Sequence, residues 1–351
     1  MHVAAPRPTT RPAGTLRRRL VAAAAVAAAS VGLVACGSDS GTSSGSGGRM
    51  TVVATTSQLG DIVREVGGDA VDVHQVLQPN TDPHEYEPRP VDVTETAGAK
   101  VVFASGLGLD GWISDVAKQS GGDAPVVTVG DGVPTKLAGD EHAEEEHGDE
   151  HAQDEHAEAG HDHEGDTDPH WWHDPTNVEA AVGIVRDALV QADPSAADAV
   201  RRSAAAYLAK VRALDARIRE CVAAVPEAER KLVTSHDAFG YFAHRYGITV
   251  VGAAIPSQTT RAQPSAGQVA ALTKLIEREK VKAIFPESSV NPKLADAIGK
   301  ETGASSDLTL YGDTLGEQGS DGATYIGMEQ HNADAVVRGF TGKADGCTFP
   351  R

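Results

Sequence analysis

The sequence predicts an α/β protein with parallel sheets, arranged as two lobes with a cleft between them. Two observations point there. Short β-branched runs alternate with helically spaced segments from Met50 to about residue 129, and the same alternation resumes at Lys231. Between the two runs lies a long Ala-rich stretch with helical spacing. Strands that alternate with helices form parallel sheets covered on both faces. Two runs of similar plan predict two similar halves, and the stretch between them predicts a rigid connecting helix or helix pair.

In the first half, strands are predicted over residues 51–55, 71–77, 100–104 and 125–129. Helices are predicted over 58–66, 91–99 and 112–119, the first stopped by Gly67-Gly68. The connecting stretch runs from Asn177 to about Val225. Its one joint is Asp193-Pro194, an N-cap residue followed by Pro at the first helical position. In the second half, strands are predicted over 231–234, 248–252, 281–285 and 307–310. Helices are predicted over 238–245, 264–279, 292–300 and 323–339.

The chain has 351 residues and a formal net charge of −19. So acidic a chain is unsuited to nucleic acid, which needs a basic face. Aromatics are only 4%, so the expected core is built from small aliphatics.

The N-terminus addresses the compartment. Arg17, Arg18 and Arg19 precede an apolar run from Leu20 to Val34. At about 15 residues, that run suits a signal-peptide core better than a membrane span. It ends in Leu33-Val34-Ala35-Cys36-Gly37, which resembles the lipobox of bacterial lipoproteins. That resemblance implies cleavage after residue 35, lipidation of Cys36, and a membrane anchor on the extracytoplasmic face. Residues 36–49 are mostly Gly and Ser and read as a flexible tether. Loss of residues 1–35, with five Arg and no acid, takes the charge from −19 to −24. Cys221 and Cys347 remain, and in an oxidising compartment they read as a disulfide. Two unpaired buried thiols are the alternative.

Residues 139–167 interrupt the first lobe. The segment has no Lys or Arg, and six His stand among its acids: His142, His147, His151, His156, His161 and His163. Such a composition cannot bury enough apolar surface to fold alone. It reads either as a solvated acidic loop or as a weak zinc collector.

Ligands of open parallel sheets bind beyond the carboxyl ends of the strands. His84, His236 and Asp313 each follow a predicted strand, and His170 stands just before the connecting helix. Three imidazoles and one carboxylate form an N₃O set suited to Zn²⁺. With neutral imidazoles the complex keeps a charge of about +1. Metal-bound His usually donates its other N–H to a carboxylate or carbonyl. Asp174 and Asp237 are placed for that, and as helix-cap residues equally. His173 reads as supporting rather than ligating. Glu287 reads as lining the cleft and is not counted as a ligand.

At these motifs the chain resembles the cluster A-I metal-binding proteins of ABC importers, the zinc and manganese receptors. The resemblance rests on Asp82-Pro83-His84-Glu85-Tyr86-Glu87-Pro88, Asp168-Pro169-His170-Trp171-Trp172-His173-Asp174-Pro175, the segment from His236 to Tyr241, and Leu310-Tyr311-Gly312-Asp313-Thr314-Leu315. The stretch from Gly106 to Trp112 also matches. The resemblance covers Met50 to the end, apart from the acidic insertion. It implies two Rossmann-like lobes (50–175 and 226–351) joined by a long rigid helix (176–225), with the metal between them. It carries over His84, His170, His236 and Asp313 as ligands, and an ABC permease with its ATPase as partners of a monomeric receptor. His236 stands where the manganese receptors have a carboxylate and the zinc receptors a His. The implied cargo is therefore Zn²⁺. Two departures are Thr260-Arg261-Ala262-Gln263-Pro264-Ser265, where acids are usual before Pro-Ser, and His173, where Leu is usual. A zinc hydrolase is the rival of another class, but no His-Glu-x-x-His occurs and four protein ligands would close the site. A surface adhesin or metal buffer is a further rival.

Overall fold

The computed structural model describes residues 48–139 and 167–349. The signal segment, Cys36 with nearly all of the tether, and the six His of the insertion lie outside them.

The first half opens with β1 (Met50–Ala54), α1 (Ser57–Gly67) and β2 (Val71–Gln75). It continues through α2 (Pro90–Ala97), β3 (Val101–Ala104), α3 (Ile113–Ser120) and β4 (Val126–Thr128). All strand pairs are parallel, in the order β2-β1-β3-β4. The central strands read Met-Thr-Val-Val-Ala and Val-Val-Phe-Ala because a strand covered on both faces has no solvent side. Thr56 caps α1 by accepting from the Leu59 N–H, and Gly68, with φ of 53°, ends it.

The connecting stretch is a helix pair. α4 (Pro175–Ala192) and α5 (Ala197–Ala223) meet at the expected Asp193-Pro194 joint and pack on each other. α5 lies against α1 of the first half and also against α9 (Tyr325–Thr341) of the second. Val200, Tyr207, Val211, Ile218 and Val222 form its buried stripe, so one core runs through both halves.

The second half holds β5 (Lys231–His236), α6 (Gly240–Tyr246), β6 (Thr249–Ile255), α7 (Ala266–Glu279) and α8 (Lys293–Thr302) ahead of α9. β5 pairs with β6 in parallel. The strands expected over 281–285 and 307–310 are present only as isolated parallel bridges, Thr234 to Phe285, Ala283 to Ser305 and Glu287 to Leu310. Pro286 lacks an N–H, and its carbonyl accepts from Leu310 at 2.8 Å. The spatial order is nevertheless the same as in the first half, with the first strand flanked by the second and third.

Cys221 at the end of α5 is bonded to Cys347, across 126 residues of sequence. Closing so long a loop removes denatured-state entropy worth about 4–5 kcal/mol. Cys221→Ser is expected to lower the denaturant midpoint in a chemical unfolding experiment, and reductant is expected to do the same to the parent protein but not to the variant.

Candidate metal centre

Three of the four predicted donors lie at or beyond the carboxyl ends of parallel strands or bridges. His84 follows β2, His236 is the last residue of β5, and Asp313 follows the segment bridged at Leu310. His170 stands in the turn before α4, fixed by its neighbours. The indole N–H of Trp171 donates to the Ser105 carbonyl (3.1 Å), and that of Trp172 to the Gly312 carbonyl (3.0 Å). The Tyr325 hydroxyl donates to the Trp172 carbonyl (3.0 Å). Two of the three Trp in the chain thus hold this turn between the halves. In the stretch from Gly106 to Trp112, buried Asp110 accepts from the Ser105 and Gly106 N–H groups at 2.6 and 2.8 Å. That stretch shapes the loop after β3 rather than the cage.

The structure brings His84, His170, His236 and Asp313 together, with one donor atom from each within 4.8 Å of all the others. His84 Nε2 is 3.3 Å from His170 Nε2 and 3.7 Å from Asp313 Oδ2. His170 Nε2 lies 3.3 Å from Asp313 Oδ1, and His236 Nε2 lies 3.2 Å from Asp313 Oδ2. A tetrahedral ion with bonds of ~2.0–2.1 Å has ligand–ligand edges of ~3.3 Å. Neither Asp313 oxygen nor His236 Nε2 has a well-formed hydrogen bond, although all are buried. Buried polar atoms are normally satisfied, so these point at a cation.

Two imidazoles are braced from behind. His170 Nδ1 is 2.7 Å from Asp168 Oδ1, and His236 Nδ1 is 2.9 Å from Glu287 Oε2. Each carboxylate also accepts its partner's backbone N–H, at 2.9 Å in both cases. A carboxylate at that distance from Nδ1 orients each ring and turns Nε2 toward the cage.

These braces are not the expected ones. Asp174 caps α4, accepting from the Thr176 N–H at 2.8 Å, and lies 3.6 Å from Arg245. Asp237 follows β5, its N–H donating to the Ser257 carbonyl. Asp168 was legible, standing two residues before His170. Glu287 carried no local signal beyond its place at a strand end. His173 is buried outside the cage, its Nδ1 2.8 Å from Glu329 and its ring stacked on Phe239 at 4.4 Å.

Charge at the cage is concentrated by burial. Burial lowers the His84 imidazole to about 3, helped by His170, His236 and Arg261 against Asp313. Burial would lower His170 too, but Asp168 and Asp313 outweigh it and raise the ring to about 9. His236 likewise rises well above the ordinary imidazole value, since Asp313 and Glu287 overcome its burial. Asp313, despite its burial, is held well below the usual carboxylate range by the three rings.

Gly312 is demanded by close approach. A Cβ there would lie 2.3 Å from Glu287 Oε2. Gly312→Ala is therefore expected to push Glu287 off His236 and to weaken metal binding about 10-fold or more. Competitive titration of the folded variant against a chromophoric chelator checks this.

A paired-sheet α/β fold with a buried three-imidazole, one-carboxylate cage between its halves defines a metal-binding receptor of the substrate-binding class that serves ABC importers, and not an enzyme. The chain belongs to the ZnuA family, described as zinc-uptake complex component A, periplasmic, which it matches over residues 52–339. It is 34% identical over 322 residues to the manganese-binding lipoprotein MntA of Bacillus subtilis, covering 90% of this chain and 97% of that protein. It is 30% identical over 310 residues to MntA of Halalkalibacterium halodurans, covering 87% of this chain and 93% of the other. Among solved structures it is similar to the periplasmic zinc-binding protein TroA of Treponema pallidum. The TM-score there is 0.70 at 27% identity, covering 84% of this chain and 99% of TroA.

Proposed function

We propose that this chain is an extracytoplasmic Zn²⁺ receptor, with His84, His170, His236 and Asp313 as the ligands of the transported ion. The observation that supports it most is the cage itself, four donor atoms within 4.8 Å with an imidazole, His236, as the third nitrogen. A set richer in imidazole favours Zn²⁺ over the harder Mn²⁺. Four protein ligands close the first shell, which suits capture and hand-over rather than catalysis. Manganese is the second reading, favoured by the two MntA relatives, both named as manganese-binding lipoproteins.

The proposed organisation follows the sequence: a signal peptide to residue 35, a lipid anchor at Cys36, lobes over 50–175 and 226–351, and the linking helices over 176–225. The receptor is read as a monomer that hands its ion to a permease driven by an ATPase. The His-rich insertion, with His142, His147, His151, His156, His161 and His163, is read as a weak zinc collector. Among the described residues no helix is long and apolar enough to cross a membrane.

Titration of the parent protein and of His236→Ala with Zn²⁺ and with Mn²⁺ tests the cargo. Zn²⁺ is expected to bind the parent at least 10-fold tighter than Mn²⁺, and His236→Ala to lose most of that preference. Tighter binding of Mn²⁺ by the parent would transfer the assignment to manganese.

A further inference from the structure

The tripeptide Asp-Pro-His occurs twice at the cage, as Asp82-Pro83-His84 and as Asp168-Pro169-His170. The two turns are built alike. In each, the Asp Oδ1 accepts the His N–H at 2.9 Å. They differ in what else the carboxylate holds. Asp168 Oδ1 also braces the His170 ring, at 2.7 Å from Nδ1. Asp82 turns its second oxygen away from its own histidine and across to the other half of the molecule. There Asp82 Oδ2 accepts from the Thr260 hydroxyl at 2.7 Å.

The consequence is an asymmetry among the three imidazoles. His170 and His236 are wholly buried and each has a carboxylate against Nδ1. His84 retains 8% side-chain exposure. Its backbone N–H is held by Asp82 Oδ1 at 2.9 Å. The His84 loop belongs by sequence to the first half, yet it is also tied to the second. The Asn80 N–H reaches the Thr314 hydroxyl at 3.0 Å, and Asp82 reaches Thr260. Thr260 lies in the loop between β6 and α7, and Thr314 follows Asp313. An opening between the halves therefore either breaks these ties and parts His84 from His236 and Asp313, or keeps them and parts His84 from His170.

We propose that Thr260 is a positioning residue that latches Asp82, and through it His84, so that His84 is the ligand released first when the ion leaves. The inference rests on the four-residue cage binding a metal ion. Thr260 touches no donor atom and acts only through Asp82. Its hydroxyl is thus required, whereas its methyl group is not.

The test uses the full mature chain loaded with Zn²⁺ and measures the dissociation rate by stopped-flow mixing with excess chelator. Thr260→Val keeps the shape and removes the hydroxyl. It is expected to speed dissociation about 10-fold, the loss of one hydrogen bond to a charged group. Thr260→Ser should restore the parent rate. Asp82→Ala should speed dissociation too, and adding Thr260→Val to it should have little further effect, since both changes break the same link. That cycle also decides the matter where Thr260→Val alone folds poorly. An unchanged rate in Thr260→Val, a Thr260→Ser variant as fast as Thr260→Val, or additive effects of the two changes would each overturn the latch. Failure of the parent itself to retain Zn²⁺ or Mn²⁺ would instead overturn the metal reading beneath it.

Discussion

Zinc affinity is expected to climb about 100-fold for each pH unit between roughly pH 6 and 8, because the ion displaces about two protons. The metal-free cage gathers the Asp313, Asp168 and Glu287 carboxyls around His170 and His236. Those carboxyls lift His170 to about 9 and His236 well above the ordinary imidazole value, in each case against burial. At neutral pH both rings therefore hold a proton. His84, lowered to about 3 chiefly by burial, holds none and offers a free lone pair. One divalent ion then replaces two protons, and the buried charge is conserved. The sign follows directly: the metal-free form binds more protons than the loaded form, so raising the pH favours loading. The slope should fall from ~2 toward ~1 as the pH passes the His170 value of about 9.

Three ordinary imidazoles would behave differently. They would weaken binding only as the pH falls toward about 6, which is the expectation from residue type alone. Calorimetry at pH 7 in two buffers of different ionisation enthalpy counts the protons released. An affinity that is flat above pH 7, with fewer than one proton released, would contradict this electrostatic account.

Asp313→Asn is expected to cost at least ~1000-fold in zinc affinity. Asp313 is the one carboxylate in the donor set, and its two oxygens face all three imidazoles at 3.2 to 3.7 Å. The amide keeps the volume but removes the charge that makes the cage attractive to a cation. One amide N–H₂ would also have to face rings or metal with its donors, which costs further. The same change should abolish thermal stabilisation by the ion. A ligand present at about 1000 times its Kd stabilises a protein by ~4 kcal/mol. At ~2–4 °C per kcal/mol for a protein of this size, the parent should melt ~10 °C higher with zinc than after chelation. Differential scanning fluorimetry with and without chelator reads this. A zinc-dependent shift retained in Asp313→Asn would remove Asp313 from the ligand set.

The parts of the fold that sequence predicted well are those governed by neighbours in the chain. Central strands such as Val101–Ala104 are wholly apolar because both faces are covered, and the joint at Asp193-Pro194 stops a helix wherever it occurs. Strands were overestimated where pairing is long-range. Residues 281–285 have the composition of a strand, yet Pro286 and the neighbouring segments leave only single bridges.

Three of the four candidate donors were legible for a similar reason, as a His or Asp beyond a predicted parallel strand, and His170 by its place just before the connecting helix. Residue type and position are local facts, and they already state which cation chemistry is available. The support of those donors was not equally legible. Asp168 lies two residues from His170, but Glu287 reaches His236 across 51 residues and Thr260 reaches Asp82 across 178. Residue order alone therefore determined the class of fold and the kind of ligand set. Only tertiary packing decided which carboxylate braces which imidazole, which rings hold protons at neutral pH, and which ligand is left to the latch. Donor chemistry belongs to the side chain itself. Protonation and rigidity come from burial and from charges that the folded chain brings in from far along the sequence.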